Sequence, residues 1–414
     1  MKILIVNTSE RTGGAAVAAG RLMHALQVNG MEVTMLVRDA DTANPSVRTI
    51  ASRLLKKLPF FLERLTIFLA NRFSKKNLFE VSTANFGFDI TKRAEFKEAD
   101  VVHLHWVNQG MLSLSTIQKI VRSGKKIVWT MHDMWPLTGI CHYSGECRRY
   151  VSNCGNCPLL QMPAENDISR GTFQKKEKIY SNAGIQFVCC SNWLLQQVHS
   201  SALFPGNLII QIPNPINTQL FTPGDAIQAR KRLGLPLDKK LILFGAYSIT
   251  DQRKGIRYLI EATHLLADLK DKVELVFCGV AKQELLDIIG LNTKSLGYIS
   301  DQATMISVYQ AVDCFVIPSL EENLPNMIME AMSCGVPCVG FRTGGIPEMI
   351  MHGETGYVAD YKSSEDLAKG IRSMVSPEET PFRKTARTFV LEHYSETAVA
   401  DKYRQIYEKR LFKK

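Results

Sequence analysis

A chain of 414 residues, 45% apolar and 22% charged, has ordinary globular composition and room for two or three domains, which excludes disordered and collagen-like readings. No run approaches the ~20 apolar residues of a membrane span, and MKILIV passes straight into polar sequence, so no secretory leader is read and the chain is expected in the cytoplasm. Fifty basic against forty acidic residues leave +10, which points to an anionic partner; no recognised binding motif accompanies the charge, so nucleic acid is not expected.

Residues 2–6 (KILIV) read as a buried strand, and Thr12-Gly13-Gly14 as the turn into a helix over 15–27. A second strand follows at 33–37. Between Arg48 and Glu80 stand eight basic and two acidic residues, a local excess of +6. The same stretch carries Leu54, Leu55, Phe60, Phe61, Leu65, Phe68, Leu69 and Phe73. It reads as an amphipathic pair of helices broken at Pro59. Such a pair could lie on an anionic membrane, through residues 48–80, or pack its apolar face on the rest of the domain. Strands at 101–104, 126–130 and 186–190 alternate with helical sequence such as 112–121, which signals parallel strands joined by crossover helices.

His132-Asp133 closes the 126–130 strand, where a histidine can donate to a ligand hydroxyl or steady a developing charge. His103 and His105 flank another strand end. Asn192 heads a helix and reads as its cap. Between His132 and the next helix lie Cys141, Cys147, Cys154 and Cys157, within CHYSGECRRYVSNCGNCP. The CGNCP end resembles a zinc knuckle, and four thiolates could close a tetrahedral structural zinc site with His142 as a spare ligand. Redox pairing and four simple thiols are the alternatives.

At 212–216 (IPNPI) the alternation stops, with Phe221-Thr222-Pro223-Gly224 close behind. Two proline-rich stretches this near each other mark a hinge. Strands at 241–244, 273–278, 313–318 and 337–340 then alternate with helices at 255–269, 302–310 and 324–333, before helical sequence from about 364 to 411. The expected fold class is α/β, with two doubly wound domains facing a cleft: residues 1–216, completed by 395–414, and residues 217–394. Ligands in such sheets bind beyond the carboxyl ends of the strands.

Arg253-Lys254-Gly255 opens a helix, a placement that suits a diphosphate, because amide dipoles and side-chain cations act together. In 318–337, Leu324, Met327, Ile328, Ala331 and Met332 share one helical face. Glu322 lies just before that helix and Glu330 two turns in, off the apolar stripe. First-turn amides beside two carboxylates could take phosphate and vicinal hydroxyls together.

The Glu-x7-Glu pair, Ala-Met-Ser-Cys-Gly-Val-Pro after it, and Gly344-Gly345-Ile346-Pro347-Glu348 resemble the signature of retaining glycosyltransferase family 4, whose fold is GT-B. The resemblance spans nearly the whole chain and is thinnest over 41–98 and 140–170. It implies sugar transfer from a nucleoside diphosphate sugar with retention at the anomeric carbon, and no catalytic metal. It implies that Glu330 binds ribose hydroxyls and Glu322 the donor sugar, with Asn323 and Leu324 in the same donor-binding stretch. The family usually has glycine where this chain has Asn323, which leaves the donor open. Arg253 and Lys254 would hold the diphosphate, Gly13 and Gly14 would lie beside it, and His132 would be the active-site histidine. The His132-to-cysteine stretch is reminiscent of family-4 enzymes of colanic-acid-type exopolysaccharide assembly, which implies a glycan or lipid-diphosphate-linked acceptor. An epimerase or hydrolase of the same fold, or a non-catalytic nucleotide-sugar binder, are the alternatives.

Overall fold

In the first half of the chain, apolar runs of β-branched and aromatic residues form seven strands, all parallel. They are β1 (Lys2–Ser9), β2 (Glu32–Asp39), β3 (Val47–Thr49), β4 (Val101–Leu104), β5 (Lys126–Met131), β6 (Ile185–Cys189) and β7 (Leu208–Gln211), in the order β3-β2-β1-β4-β5-β6-β7. Side chains alternate between two buried faces, as a parallel sheet covered by helices requires. Leu4, Val6, Leu104 and Trp129 enter one core, and Ile3, Ile5, Val101 and Val128 the other. The computed structural model describes residues 1–50, 55–181, 183–248, 251–280, 283–376 and 382–409. Arg53 and Leu54 of the basic segment therefore lie outside the described residues.

A second parallel sheet contains β8 (Lys240–Ser248), β9 (Val273–Val280), β10 (Asn292–Ser295), β11 (Cys314–Ile317), β12 (Cys338–Phe341) and β13 (Gly356–Ala359), in the order β10-β9-β8-β11-β12-β13. Contacts divide the chain into two units, Met1–Pro215 with Val399–Lys414, and Ile216–Ala398. Each is a doubly wound α/β domain. In each sheet the strand order reverses beside the first strand, between β1 and β4 and between β8 and β11. These are the switch points at which such sheets open a crevice. In the second unit the opening is visible in the register: β8 and β11 pair only through Ile242↔Cys314 and Leu243↔Phe315, well before β8 ends.

Several local expectations need correction. Pro59 sits in the first turn of one continuous helix, Leu58–Ala70, instead of breaking a pair, because a ring at that position costs no hydrogen bond. Ser191, not Asn192, caps helix Asn192–Ser200, accepting from the Leu194 amide. Helix Asn326–Ser333 begins two residues later than the apolar spacing suggests, with Pro325 as its cap residue; Met327 is only half-buried, and Met329 is fully buried. Among the described residues no helix is long and apolar enough to cross a membrane.

Candidate active site

In the second unit the loops after β8 and β11 meet at the switch point. A short turn of 3-10 helix, Gln252–Lys254, ends at Gly255 and leads into helix Ile256–His264. Gly255 has φ 65°, and a Cβ there would stand 1.8 Å from the Pro318 carbonyl oxygen, so only glycine lets the two loops touch. The Leu320 amide donates to the Arg253 carbonyl at 2.7 Å, tying them further. Gly344 repeats the device from the β12 side: at φ 56°, its Cβ would lie 1.7 Å from the Glu322 carbonyl oxygen.

This backbone packing brings Lys254 and Glu322 together as an ion pair, and Ser319 Oγ also donates to the Glu322 carboxylate at 3.3 Å. Arg253 turns instead to Asp251, at 2.9 Å. Glu330, on helix Asn326–Ser333, accepts from Tyr309 Oη at 2.7 Å. Tyr309 is wholly buried; burial, then the neighbouring Glu330 charge, pushes its phenol well above the usual range, so it is a committed donor. Asn323 and Leu324 are buried between the two glutamates in sequence. Tyr309 and Ser319 are the residues the sequence did not single out here; both reach their glutamates from positions without a motif of their own.

In the first unit Gly13, with φ 92°, caps helix Gly14–Val28 directly after β1, and both Gly13 and Gly14 are exposed. The switch point is laced shut below it: Thr8 Oγ1 donates to the Trp106 carbonyl, and the Trp106 amide to Asn7 Oδ1, each at 2.9 Å. His132 stands at the end of β5, with its Nε2 2.9 Å from His105 Nδ1. His105 in turn packs against His103, ring centres 4.3 Å apart and planes tilted by 40°, and is itself stacked on His132. His103 bridges Tyr407 Oη at 2.7 Å and Thr130 Oγ1 at 2.8 Å. Burial pushes all three imidazoles down, His132 to about 4 and His103 to about 3, so the stack is neutral near pH 7.

Asp133 accepts from Trp106 Nε1 at 2.7 Å and from the Trp135 amide at 2.9 Å, and it pairs with His142 at 2.6 Å. Burial works against its charge, but His142 and these donors hold the carboxyl below its ordinary value. His142, read as a spare metal ligand, is engaged here with Asp133, and its Nε2 lies 3.3 Å from Ser82 Oγ.

Cys141, Cys147, Cys154 and Cys157 are free thiols that line one cavity of about 20 Å³ with Arg149 and Tyr150. The Gly139 amide donates to Cys154 Sγ at 3.2 Å. Among the described residues, no three His, Cys, Asp or Glu side chains are already gathered as a metal-ligand set. One Asp-x-Asp triplet, Asp39-Ala40-Asp41, ends β2; Asp39 is held by Arg38 at 2.5 Å and Lys56 at 3.4 Å.

Residues 12–220, half of the chain, match the family model Glycosyltransferase Family 4, and residues 238–376 match Glycosyl transferases group 1. The chain belongs to glycosyltransferase family 4. This transferase is 22% identical over 322 residues to N-acetyl-alpha-D-glucosaminyl L-malate synthase of Bacillus anthracis, with 76% of each chain covered. It is 24% identical over 266 residues to the Escherichia coli protein WcaC, named for colanic acid biosynthesis, covering 60% of this chain and 62% of that one. The fold is GT-B, shared with sucrose-phosphate synthase of Thermosynechococcus elongatus (TM-score 0.69, 19% identity, 98% of both chains). It is shared also with Anabaena HepE, solved with UDP and glucose (TM-score 0.65, 17% identity, 99% of this chain and 100% of that one).

Proposed function

We propose that this transferase moves a sugar, with retention at the anomeric carbon, from a nucleoside diphosphate sugar to a glycan acceptor carried on a lipid. The setting we propose is bacterial surface polysaccharide assembly at the inner face of the membrane. The observation that carries the reading is the meeting of Lys254 and Glu322 at the switch point of the second sheet, with Glu330 on the helix that follows. The colanic-acid name of one relative and the UDP bound to HepE support it.

Without a ligand, Lys254 and Glu322 satisfy each other. A donor diphosphate draws Lys254 onto its phosphates and releases the Glu322 carboxylate to accept sugar hydroxyls. Glu330, positioned by the hydrogen bond it accepts from Tyr309, accepts a ribose hydroxyl. The bond from anomeric carbon to diphosphate oxygen then breaks while the acceptor hydroxyl attacks the same face, and its proton passes to the leaving diphosphate. Arg253, Lys254 and the first-turn amides of helix Asn326–Ser333 oppose the charge that develops there. His132, neutral near pH 7, contributes a hydrogen bond and no charge. The test is a thermal-shift series with UDP, GDP, ADP, CMP and their sugar conjugates. A ligand at 100 times its Kd adds about 2.7 kcal/mol. A selective rise with one nucleoside diphosphate is expected; no rise with any would sink the reading.

The four thiols fit a structural zinc in number and chemistry. They share one cavity, none is in a disulfide, and an amide already donates to Cys154. We propose that Cys141, Cys147, Cys154 and Cys157 hold it, their side chains drawing together on binding, and that it organises a loop with few apolar residues. Elemental analysis of the purified chain is expected to find about one zinc per chain; a fully folded chain without metal would overturn this.

A further inference from the structure

Helix Leu58–Ala70 is turned the wrong way round for a surface helix. Its inward face carries Glu63 and Arg64, 0% and 6% exposed, beside Ile67. Its outward face carries Leu58, Phe61, Leu65 and Leu69, each more than half exposed at 53%, 60%, 51% and 51%. The intervals of three, four and four residues put these four on one stripe. Leu55 and Phe73 extend it at either end, also exposed. Exposed Lys57, Arg72, Lys75 and Lys76 flank the stripe.

The buried charges explain why the helix is held in this orientation. Glu63 accepts from the amides of Thr83 and Ala84 at 3.0 and 2.9 Å, and Arg64 donates to the Val81 carbonyl at 3.0 Å and to Ser82 Oγ at 3.3 Å. Rotating the helix to hide its leucines would strand both charges and three backbone groups of the 81–84 segment, at several kcal/mol. That segment reaches the candidate site: Ser82 Oγ lies 3.3 Å from His142 Nε2, and Trp135 Nε1 donates to the Ser82 carbonyl at 2.7 Å.

We propose that the outward stripe, with its flanking cations, is a docking face for an anionic lipid bilayer, the helix lying in the plane of the interface. An apolar strip this continuous is unusual on a free surface, and a rim of lysine and arginine complements anionic headgroups. The proposal deepens the lipid-linked acceptor reading by supplying the surface on which such an acceptor is met, and it is tested without turnover, so that either can fail alone.

The experiment is co-sedimentation of the full chain with vesicles of phosphatidylcholine alone or mixed with phosphatidylglycerol. Binding to the mixed vesicles is expected, falling at least tenfold on phosphatidylcholine alone and weakening with salt. Phe61→Ser with Leu65→Glu is expected to abolish it while leaving the thermal midpoint unchanged, since neither side chain is buried. Lys75→Glu with Lys76→Glu, which leaves the helix untouched, is expected to weaken it at least tenfold. Absence of binding to mixed vesicles overturns the proposal, as does equal binding by wild type and the Phe61/Leu65 variant. A concentration-dependent dimer that Leu65→Glu dissolves, without vesicle binding, would assign the face to a second copy of the chain and overturn it too.

Discussion

The candidate residues of the two units are arranged on opposite electrostatic plans. In the second unit Lys254, Glu322, Arg253 and Asp251 are partly exposed charges in mutual pairs, placed by glycine-permitted contacts between loops. In the first, His103, His105 and His132 form a buried, neutral stack joined to hydroxyls of Thr130 and Tyr407. A site that takes a charged diphosphate can keep its cations ready by pairing them with groups the ligand displaces. A site that faces a neutral hydroxyl gains from excluding charge altogether. The first plan is sensitive to the loss of any one charge, the second to protons.

The sharpest way to break this contrast is Lys254→Ala. Removing a preorganised cation from a leaving diphosphate is expected to cost about 10²–10³ in turnover, measured with saturating donor; wild-type turnover would take the diphosphate role away from Lys254. Next in size is acid sensitivity. His103 is neutral when folded, with its pKa depressed from 6.5 to about 3 by burial, so the unfolded chain binds its proton first. Stability is therefore complete above pH 6.5 and is lost as the pH falls from there toward 3, by up to ~1.4 kcal/mol per pH unit per histidine. Denaturant midpoints between pH 7 and 4.5 should show the decline, and His103→Gln should flatten it. An unchanged slope would mean that the stack takes up protons in place. The smallest effect is Tyr309→Phe, which takes one donor from Glu330. Donor affinity is expected to fall about tenfold with turnover at saturation retained, in line with one hydrogen bond to a charged group. A fall in turnover alone would instead place Tyr309 with the chemistry.

Much of the fold was legible because parallel strands buried on both faces appear as short apolar runs, and β1, β2, β4, β5, β8 and β9 do so plainly. The edge strand β10 (Asn292–Ser295) reads NTKS and has no apolar signal at all, since an edge position does not demand one. Helix Leu58–Ala70 was readable as amphipathic but not in its orientation. Periodicity assumes that apolar residues turn inward, and here the hydrogen bonds that Glu63 accepts from distant amides and Arg64 donates to a distant carbonyl override that. Of the site, Glu322, Glu330, Arg253 and Lys254 could be singled out from helix-start spacing and family resemblance. The Tyr309–Glu330 bond and the His142–Asp133 pair join residues through tertiary packing or around a loop, which no local pattern records.

Helix Glu396–Glu408 carries a consequence for synthesis. Its Tyr403 and Tyr407 fill one core of the first sheet and bond to Thr130 and His103, so the N-terminal unit is closed by residues that follow the whole of the second. At ribosomal speeds of about 5–20 residues per second, the first unit waits roughly 10–40 s between the emergence of β7 and that of its last helix. During that interval the face that Tyr403 and Tyr407 will cover is bare. Closure of the N-terminal unit therefore waits for residues made after those of the second.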